Sequence, residues 1–298
     1  MDPLLSRTFV IACAMHFSGA MATSFYILFP LFIREIGGSE LTIGVYAGLV
    51  GTAAVAARFP VGRFLDSHGR RWVLATAGVL NVVAWLGFRS FHAIGVQSAM
   101  LVMLYGAASG SLFATYFTYA SDIIPASRRS EGFGLFGIWG MLPNGLAPKL
   151  GEWILGRSGF DTYFLVAASF AAVSLGLSLL LPETAEGHVV RISGVPPVVL
   201  RQPFPVRRLL PLLAVAFAFA TGIESLFVFL APFAYAIGRG SIGNFFLRYS
   251  LSAVLVRIVA GRLPDRVGLL RVLLPALFAY AVGLMLIPGF IDSNALLM

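Results

Sequence analysis

The sequence contains few of the residues that build catalytic sites in soluble proteins. Of its 298 residues, 11% are charged and one is a cysteine, Cys13. A single thiol excludes a disulfide framework and any zinc or iron–sulfur site built from several thiolates. The one lysine, Lys149, is followed by Leu150, so the Gly-Lys-Ser/Thr ending of a phosphate-binding loop is missing. Because no apolar run carries a nucleophile–base pair or metal cluster, the sequence predicts no enzymatic chemistry and no cofactor.

Apolar residues dominate what is present. Hydrophobic residues make up 58% of the chain, and the mean hydropathy is +0.89. Nine apolar runs are long enough, at about 20 residues, to cross a ~30 Å hydrocarbon layer as helices. The predicted spans cover residues 8–34, 41–60, 72–91, 96–121, 132–155, 160–181, 206–236, 241–260 and 271–291. The ~10-residue alternation of a membrane barrel is not visible, and the first run lacks a cleavage site, so we expect an all-α polytopic bundle with a retained first span.

Positive charge is distributed unevenly between the two sides of these spans. The net charge is +8, but the arginines fall in short clusters between apolar runs and not along one polar face, which argues against nucleic acid binding. Of the 21 lysines and arginines, the less basic side holds six, namely Arg34, Arg89, Lys149, Arg157, Arg239 and Arg248. The positive-inside rule therefore predicts a cytoplasmic N-terminus and an outer location for Met298.

An internal repeat divides the chain. Gly62-Arg63-Phe64-Leu65-Asp66-Ser67-His68-Gly69-Arg70-Arg71 is similar to the block that runs from Gly261 to Arg271, and each block follows the second span of its half. The longest polar stretch, 183–205, is predicted to be a cytoplasmic linker. It separates a six-span half, 1–182, from a partial half of about three spans, 206–298. If the halves match, three further spans are missing.

The first block resembles motif A of the major facilitator superfamily, G-R-x-x-D-x-x-G-R-R, with a weaker second copy at the matching place. Supporting resemblances are Thr42-Ile43-Gly44, Ser121-Asp122-Ile123-Ile124-Pro125 and Leu181-Pro182-Glu183-Thr184. The fifth span resembles the antiporter motif C of this family, although Ala147 and Glu152 replace two glycines. Within the superfamily the chain resembles bacterial drug and sugar efflux permeases. The resemblance implies the major facilitator arrangement, with the first half complete and the second partial.

The motif places charged residues and a tight turn at the membrane surface. Gly62 and Gly69 permit close helix approach and a tight turn, and Asp66 can accept hydrogen bonds from helix termini or arginines. Asp122 is expected to join Arg58, Arg63 or Arg70 in one network, which by resemblance latches the inner gate; a purely topological role for the arginines is the alternative. The gating residues are Gly62, Arg63, Asp66, Gly69, Arg70, Arg71 and Asp122, and in the second copy Gly261, Arg262, Asp265 and Gly268.

Polar residues within spans are candidates for translocation or proton coupling. They are His16, Thr23, Tyr26, Thr115, Tyr119, Asn144 and Glu224. Serine and threonine in membranes commonly bond one helix to another, so each hydroxyl has a structural alternative. Glu224 is the strongest candidate, because an ionisable group inside a span is costly and usually faces a cavity or a partner. It either carries a coupling proton or pairs with an arginine such as Arg248, and His16 either titrates or packs.

The resulting hypothesis is a secondary active transporter that moves a small solute by alternating access. Proton-coupled efflux by an antiporter is favoured, with a proton-coupled uptake permease as the alternative. A non-transporting sensor or scaffold with a degenerate transporter fold is a third possibility. The expected partners are the solute, protons and the lipid bilayer of a bacterial inner membrane, and the protein is expected to be a monomer.

Overall fold

A computed structural model of the chain describes residues 4–184, 206–238, 241–260, 263 and 267–292. Most of the linker 183–205 lies outside these residues, as do Gly261, Arg262 and Asp265 of the second motif copy. The described residues are helical apart from short turns. The α-helices are α1 (Arg7–Phe25), α2 (Phe29–Glu35), α3 (Glu40–His68), α4 (Arg70–Gly87), α5 (Val96–Ile123), α6 (Arg129–Met141), α7 (Pro143–Leu179), α8 (Val206–Ala236), α9 (Ile242–Ala260) and α10 (Leu269–Asp292).

Eight segments of the described chain are long and apolar enough to cross a membrane. The longest, Ala126–Leu179, has 54 residues and would measure about 80 Å as one helix, more than twice the ~30 Å layer. It is broken at Gly159, where φ is 70° and the backbone leaves the helical region. Divided there, the segment supplies two of the nine predicted spans.

Helix α3 extends beyond residue 60, the predicted end of the second span. It continues through Pro60, Gly62 and Asp66 to His68, so the first part of the motif is helical and not a loop. A hydropathy pattern reports only the part of a helix that lies in lipid, and the polar residues from Gly62 onwards extend the same helix beyond it. The turn itself is confined to Gly69, which lies between α3 and α4.

The first six spans pack around a central pair of helices, α1 and α7, which contact each other extensively. We call the end of the bundle that carries Gly69 the motif end, and the end that carries the α2–α3 turn at Gly37 the distal end. Aromatic side chains fill the distal half of the core, with Trp85, Phe88, Phe29 and Phe164 fully buried. A second apolar cluster, which includes Phe9, Leu74 and Tyr119, fills the motif end. These clusters fix the helix ends on which the candidate site is built.

The remaining helices contact this bundle along one main seam, between α7 and α9. The seam is closed at Gly145, where an added Cβ would lie 2.7 Å from the Leu247 Cα and 2.9 Å from the Phe246 carbonyl oxygen. An added Cβ on Gly243 would lie 2.6 Å from the Lys149 Cα. Glycines on both helices therefore allow the backbones of α7 and α9 to approach closely. In contrast, most residues of α8 and α10 are exposed.

Candidate functional site

A charged network lies at the motif end, and its first part caps helix α4. Gly69 has φ of 91°, a conformation that side chains rarely adopt. The turn directs the first two amides of α4 at one carboxylate: the Arg70 N–H donates to Glu183 Oε1 (2.8 Å) and the Arg71 N–H donates to Glu183 Oε2 (3.1 Å). A Cβ on residue 69 would overlap the Glu183 carboxyl group. An anion is favourable there because the first amides of a helix lack partners and carry partial positive charge.

The second part of the network is a nearly buried ion pair. Arg70 Nε lies 2.9 Å from Asp122 Oδ2 at the end of α5, and the two side chains are only 15% and 11% exposed. Arg70 Nη1 also donates to the Leu65 carbonyl oxygen (3.0 Å). The Thr184 hydroxyl donates to Asp122 Oδ2 (2.8 Å). One arginine thus connects the end of α3, the start of α4 and the end of α5.

Two further bonds bind this network to the end of α7. The Tyr119 hydroxyl donates to the Pro182 carbonyl oxygen (3.0 Å), and the Arg71 guanidinium donates to the Leu179 carbonyl oxygen (2.7 Å). We call the whole set the motif-end network; its members are Arg70, Arg71, Tyr119, Asp122, Glu183 and Thr184. The ends of four helices that are far apart in sequence therefore share one set of polar contacts.

The sequence offered Arg58, Arg63 or Arg70 as partners of Asp122. Arg70 pairs with Asp122, whereas Arg58 and Arg63 are exposed and form no ion pair within the described residues. An added Cβ on Gly62 would meet no atom within 4 Å among the described residues, so the close approach expected there is absent. The roles of Glu183 and Thr184 in this network were not predicted. The signal available in the sequence was Pro182-Glu183-Thr184, which directly follows an apolar run.

The two motif copies share their turn geometry. Gly268 has φ of 96°, close to the 91° of Gly69, and each glycine directly precedes the next long helix. The other members of the second copy, Gly261, Arg262 and Asp265, lie outside the described residues, and so does the side chain of Asp66. The same left-handed turn in both copies supports the internal repeat read from the sequence.

Several predicted translocation residues lie inside the first bundle. His16 stacks on Phe136 with ring centroids 4.4 Å apart, and its Nδ1 is 3.2 Å from the Phe136 carbonyl oxygen. The Thr23 and Thr115 hydroxyls donate to carbonyl oxygens of their own helices. Tyr26 is stacked between Phe29 and Tyr105. Each of these groups therefore has a packing or hydrogen-bonding role in the bundle.

Asn144 and Glu224 are placed differently. Asn144 accepts a hydrogen bond from the Ser24 hydroxyl (2.8 Å), which bonds α7 to α1 at mid-span. Glu224 lies near the middle of α8, is exposed, and has no ion pair within the described part of the chain. Arg248, its suggested partner, is also exposed. Glu224 therefore stays a candidate proton carrier.

A second polar cluster closes the distal end of the α7–α9 seam. Lys149 Nζ donates to Asn244 Oδ1 (2.6 Å), and the Ser241 hydroxyl donates to Glu152 Oε2 (2.5 Å). Arg34 donates to the Pro232 carbonyl oxygen (2.7 Å), which connects α2 to α8. We call these six residues the distal clamp. Lys149 and Glu152 of α7 are therefore both bonded to residues at the start of α9.

Long apolar helices with polar networks at both ends define a polytopic membrane protein. Within the described residues, no group of three or more histidines, cysteines or acidic residues is arranged to hold a metal ion. The profile of the Major Facilitator Superfamily matches residues 11–298. The chain belongs to this family.

Similar proteins come from several bacteria. The chain is 25% identical over 172 residues to an "Uncharacterized MFS-type transporter YfkF" of Bacillus subtilis, covering 56% of this chain and 42% of that protein. It is 27% identical over 195 residues to a "Putative sugar efflux transporter" of Deinococcus radiodurans, covering 60% and 48%. It is 29% identical over 107 residues to an "Uncharacterized MFS-type transporter YcaD" of Escherichia coli, covering 35% and 26%. The chain thus spans less than half the length of these curated relatives.

Proposed function

We propose that this chain is part of a secondary active transporter that exports a small solute by alternating access, driven by proton exchange. The observation that carries the proposal is the motif-end network, in which Arg70, Asp122 and Glu183 join four helix ends through charged hydrogen bonds. Charged hydrogen bonds of this kind are stronger than neutral ones, yet they break cooperatively when the helix ends separate. Such a set can hold one conformation and release it.

In this proposal the motif end is cytoplasmic and the distal end faces outward. The asymmetric distribution of arginine supports this orientation, and the bacterial relatives support placement in the inner membrane. The motif-end network joins helix ends within the first half, 1–182, and the start of the linker in one conformation, and it is released when these helix ends move in the other. The residues from 206 onwards belong to the second half, which moves against the first about the α7–α9 seam. The protein acts as a monomer.

Glu224 is the proposed proton carrier. Its position near the middle of an apolar helix and its lack of an ion pair among the described residues support this role. The deviations of motif C at Ala147 and Glu152 leave an uptake permease as the second candidate. A sensor or scaffold is the candidate from another class, and absence of flux for every solute tested would favour it.

The Glu224→Gln variant is expected to abolish proton-coupled flux and to leave solute binding in place. The amide has a similar size but cannot release a proton at physiological pH. Solute-driven proton movement should be measured in vesicles with the full-length gene product, screened over lipophilic cations and small sugars. Asp161→Asn, which removes a carboxylate from an exposed pair with Arg89, serves as the matched control.

The sign of the proton movement fixes the direction of transport. Protons that move opposite to the solute identify an antiporter, and protons that move with it identify a symporter. Coupled flux of wild-type size in Glu224→Gln would contradict the role proposed for this residue.

A further inference from the structure

Two polar side chains near the middle of the Arg70–Ser90 span are buried without a hydrogen-bond partner. Asn81 is 1% exposed and Trp85 is fully buried. Among the described residues, neither the two polar atoms of the Asn81 amide nor Trp85 Nε1 has a partner. An unpartnered buried polar atom is costly, and lipid around the bundle cannot supply the missing hydrogen bond. The three atoms therefore require a partner inside the bundle.

The two side chains lie one helical turn apart. Asn81 and Trp85 are four positions apart in α4, so they share one face of the helix, with Cβ atoms about 5–6 Å from each other. Their atoms are complementary, because the indole N–H and the amide NH₂ donate whereas the amide oxygen accepts. No direct hydrogen bond joins them. A molecule that both accepts and donates can bridge this spacing, as water does.

The groups packed around the indole do not offer a free partner. Four aromatic rings surround it, with centroids between 5.4 and 6.5 Å away, and they belong to Tyr26, Phe88, Tyr105 and Phe164. The Tyr105 hydroxyl donates to the Thr23 carbonyl oxygen (3.2 Å).

The helices against which α4 packs are short of polar atoms as well. Helix α4 contacts α5 and α7 along its length. The buried cluster that contains Trp85 also contains Ala167, Ala168 and Ala171 of α7, which supply neither polar atoms nor much bulk. Other buried hydroxyls are already bonded: Thr115 donates to the Ser111 carbonyl oxygen, for example. The partner of Asn81 and Trp85 is therefore not a protein group of the described chain.

We propose that Asn81 and Trp85 bind an internal water molecule in the core of the first six helices. The water accepts a hydrogen bond from Trp85 Nε1 and donates one to Asn81 Oδ1, and Asn81 Nδ2 donates to a second water beside the first. Buried waters with two to four such bonds are part of many protein cores and are costly to remove. The inference does not depend on the proposed transport, since it concerns packing within one half.

The direct test is NMR of the full-length gene product in nanodiscs of deuterated lipid, with ¹⁵N-labelled tryptophan. The Trp85 Nε1 proton is expected to exchange magnetisation with water, with the sign that a long-lived bound water gives. Trp72 lies on the same helix and is 66% exposed, so it serves as the reference for short-lived surface water. The Trp85→Phe variant identifies the signal. Absence of transfer at Trp85 in the wild type would overturn the proposal.

The Asn81→Leu variant shows whether Asn81 holds this water. Leucine has a similar size but neither accepts nor donates, so the transfer at Trp85 should disappear. Hydroxyl protons that exchange with water, such as that of Tyr105, are another source of the same signal. Transfer of wild-type size in Asn81→Leu would assign the signal to such a hydroxyl and would refute the role of Asn81.

The stability of the same variants gives an independent test. With water bound, Asn81→Leu should raise the equilibrium constant of unfolding about tenfold, because Trp85 Nε1 loses its partner. A dry site predicts the opposite sign, because leucine would replace an amide that forms no hydrogen bond. The double variant with Trp85→Phe should be about fivefold more stable than the two single effects predict, since both act on one water. A stabilising Asn81→Leu, or strictly additive effects, would contradict the water site.

Discussion

Asp122→Asn is expected to lower the free energy of unfolding by about 3 kcal/mol, the range found when one partner of a buried ion pair is removed. Arg70 is only 15% exposed and would keep its charge without its carboxylate partner. The Thr184 hydroxyl would lose its charged acceptor as well. The measurement is the thermal or denaturant unfolding of the purified protein in one detergent.

The control for this variant is Asp161→Asn at the distal end. Asp161 pairs with Arg89 at 2.6 Å, but the side chains are 62% and 36% exposed. Such a pair contributes about 1 kcal/mol or less. Equal destabilisation by both variants would mean that burial of the Arg70–Asp122 pair has no special effect on stability.

Gly145→Ala is expected to destabilise the protein by about 2 kcal/mol, as overpacking of a close contact does. The added methyl group would meet the Leu247 Cα and the Phe246 carbonyl oxygen, and backbone atoms cannot move aside as a side chain can. Helices α7 and α9 must then separate. The unfolding midpoint and solute flux are the two measurements, and both should fall.

Gly176→Ala provides the matched control in the same helix. An added Cβ on Gly176 meets no described atom within 4 Å, so no clash is expected. Alanine is favoured over glycine by up to about 1 kcal/mol inside a helix, and the midpoint should stay constant or rise. A fall of equal size in both variants would show that the seam at Gly145 is not tightly packed.

The helices could be predicted from the sequence because each span satisfies its own backbone in lipid. Residue counts and apolar composition therefore locate α4, α5 and α8 within a few residues. The end of α3 could not be predicted from hydropathy, since polar residues such as Arg63 and Asp66 continue the helix beyond the apolar run. The break at Gly159 was predicted only as a gap between two apolar runs.

The site was predicted in part. Three arginines were equally good partners for Asp122 in the sequence, and only the position of the α3–α4 turn selects Arg70. Glu183 lies more than 100 positions from the amides that it caps, so no local pattern indicates its partner. Thr115 was a translocation candidate, but the sequence could not show that its side chain is buried and bonded to its own helix.

The measurement that tests the central claim most directly is solute-driven flux in proteoliposomes, with wild type and Asp122→Asn compared well below the unfolding midpoint of the variant. The proposed role of the motif-end network predicts clear flux for the wild type and at least about a tenfold loss for the variant, corresponding to ~1.4 kcal/mol in the barrier. Solute binding should persist in both. Equal flux in the two proteins would contradict the gating role of the network, and absence of flux in the wild type for every solute would contradict transport itself.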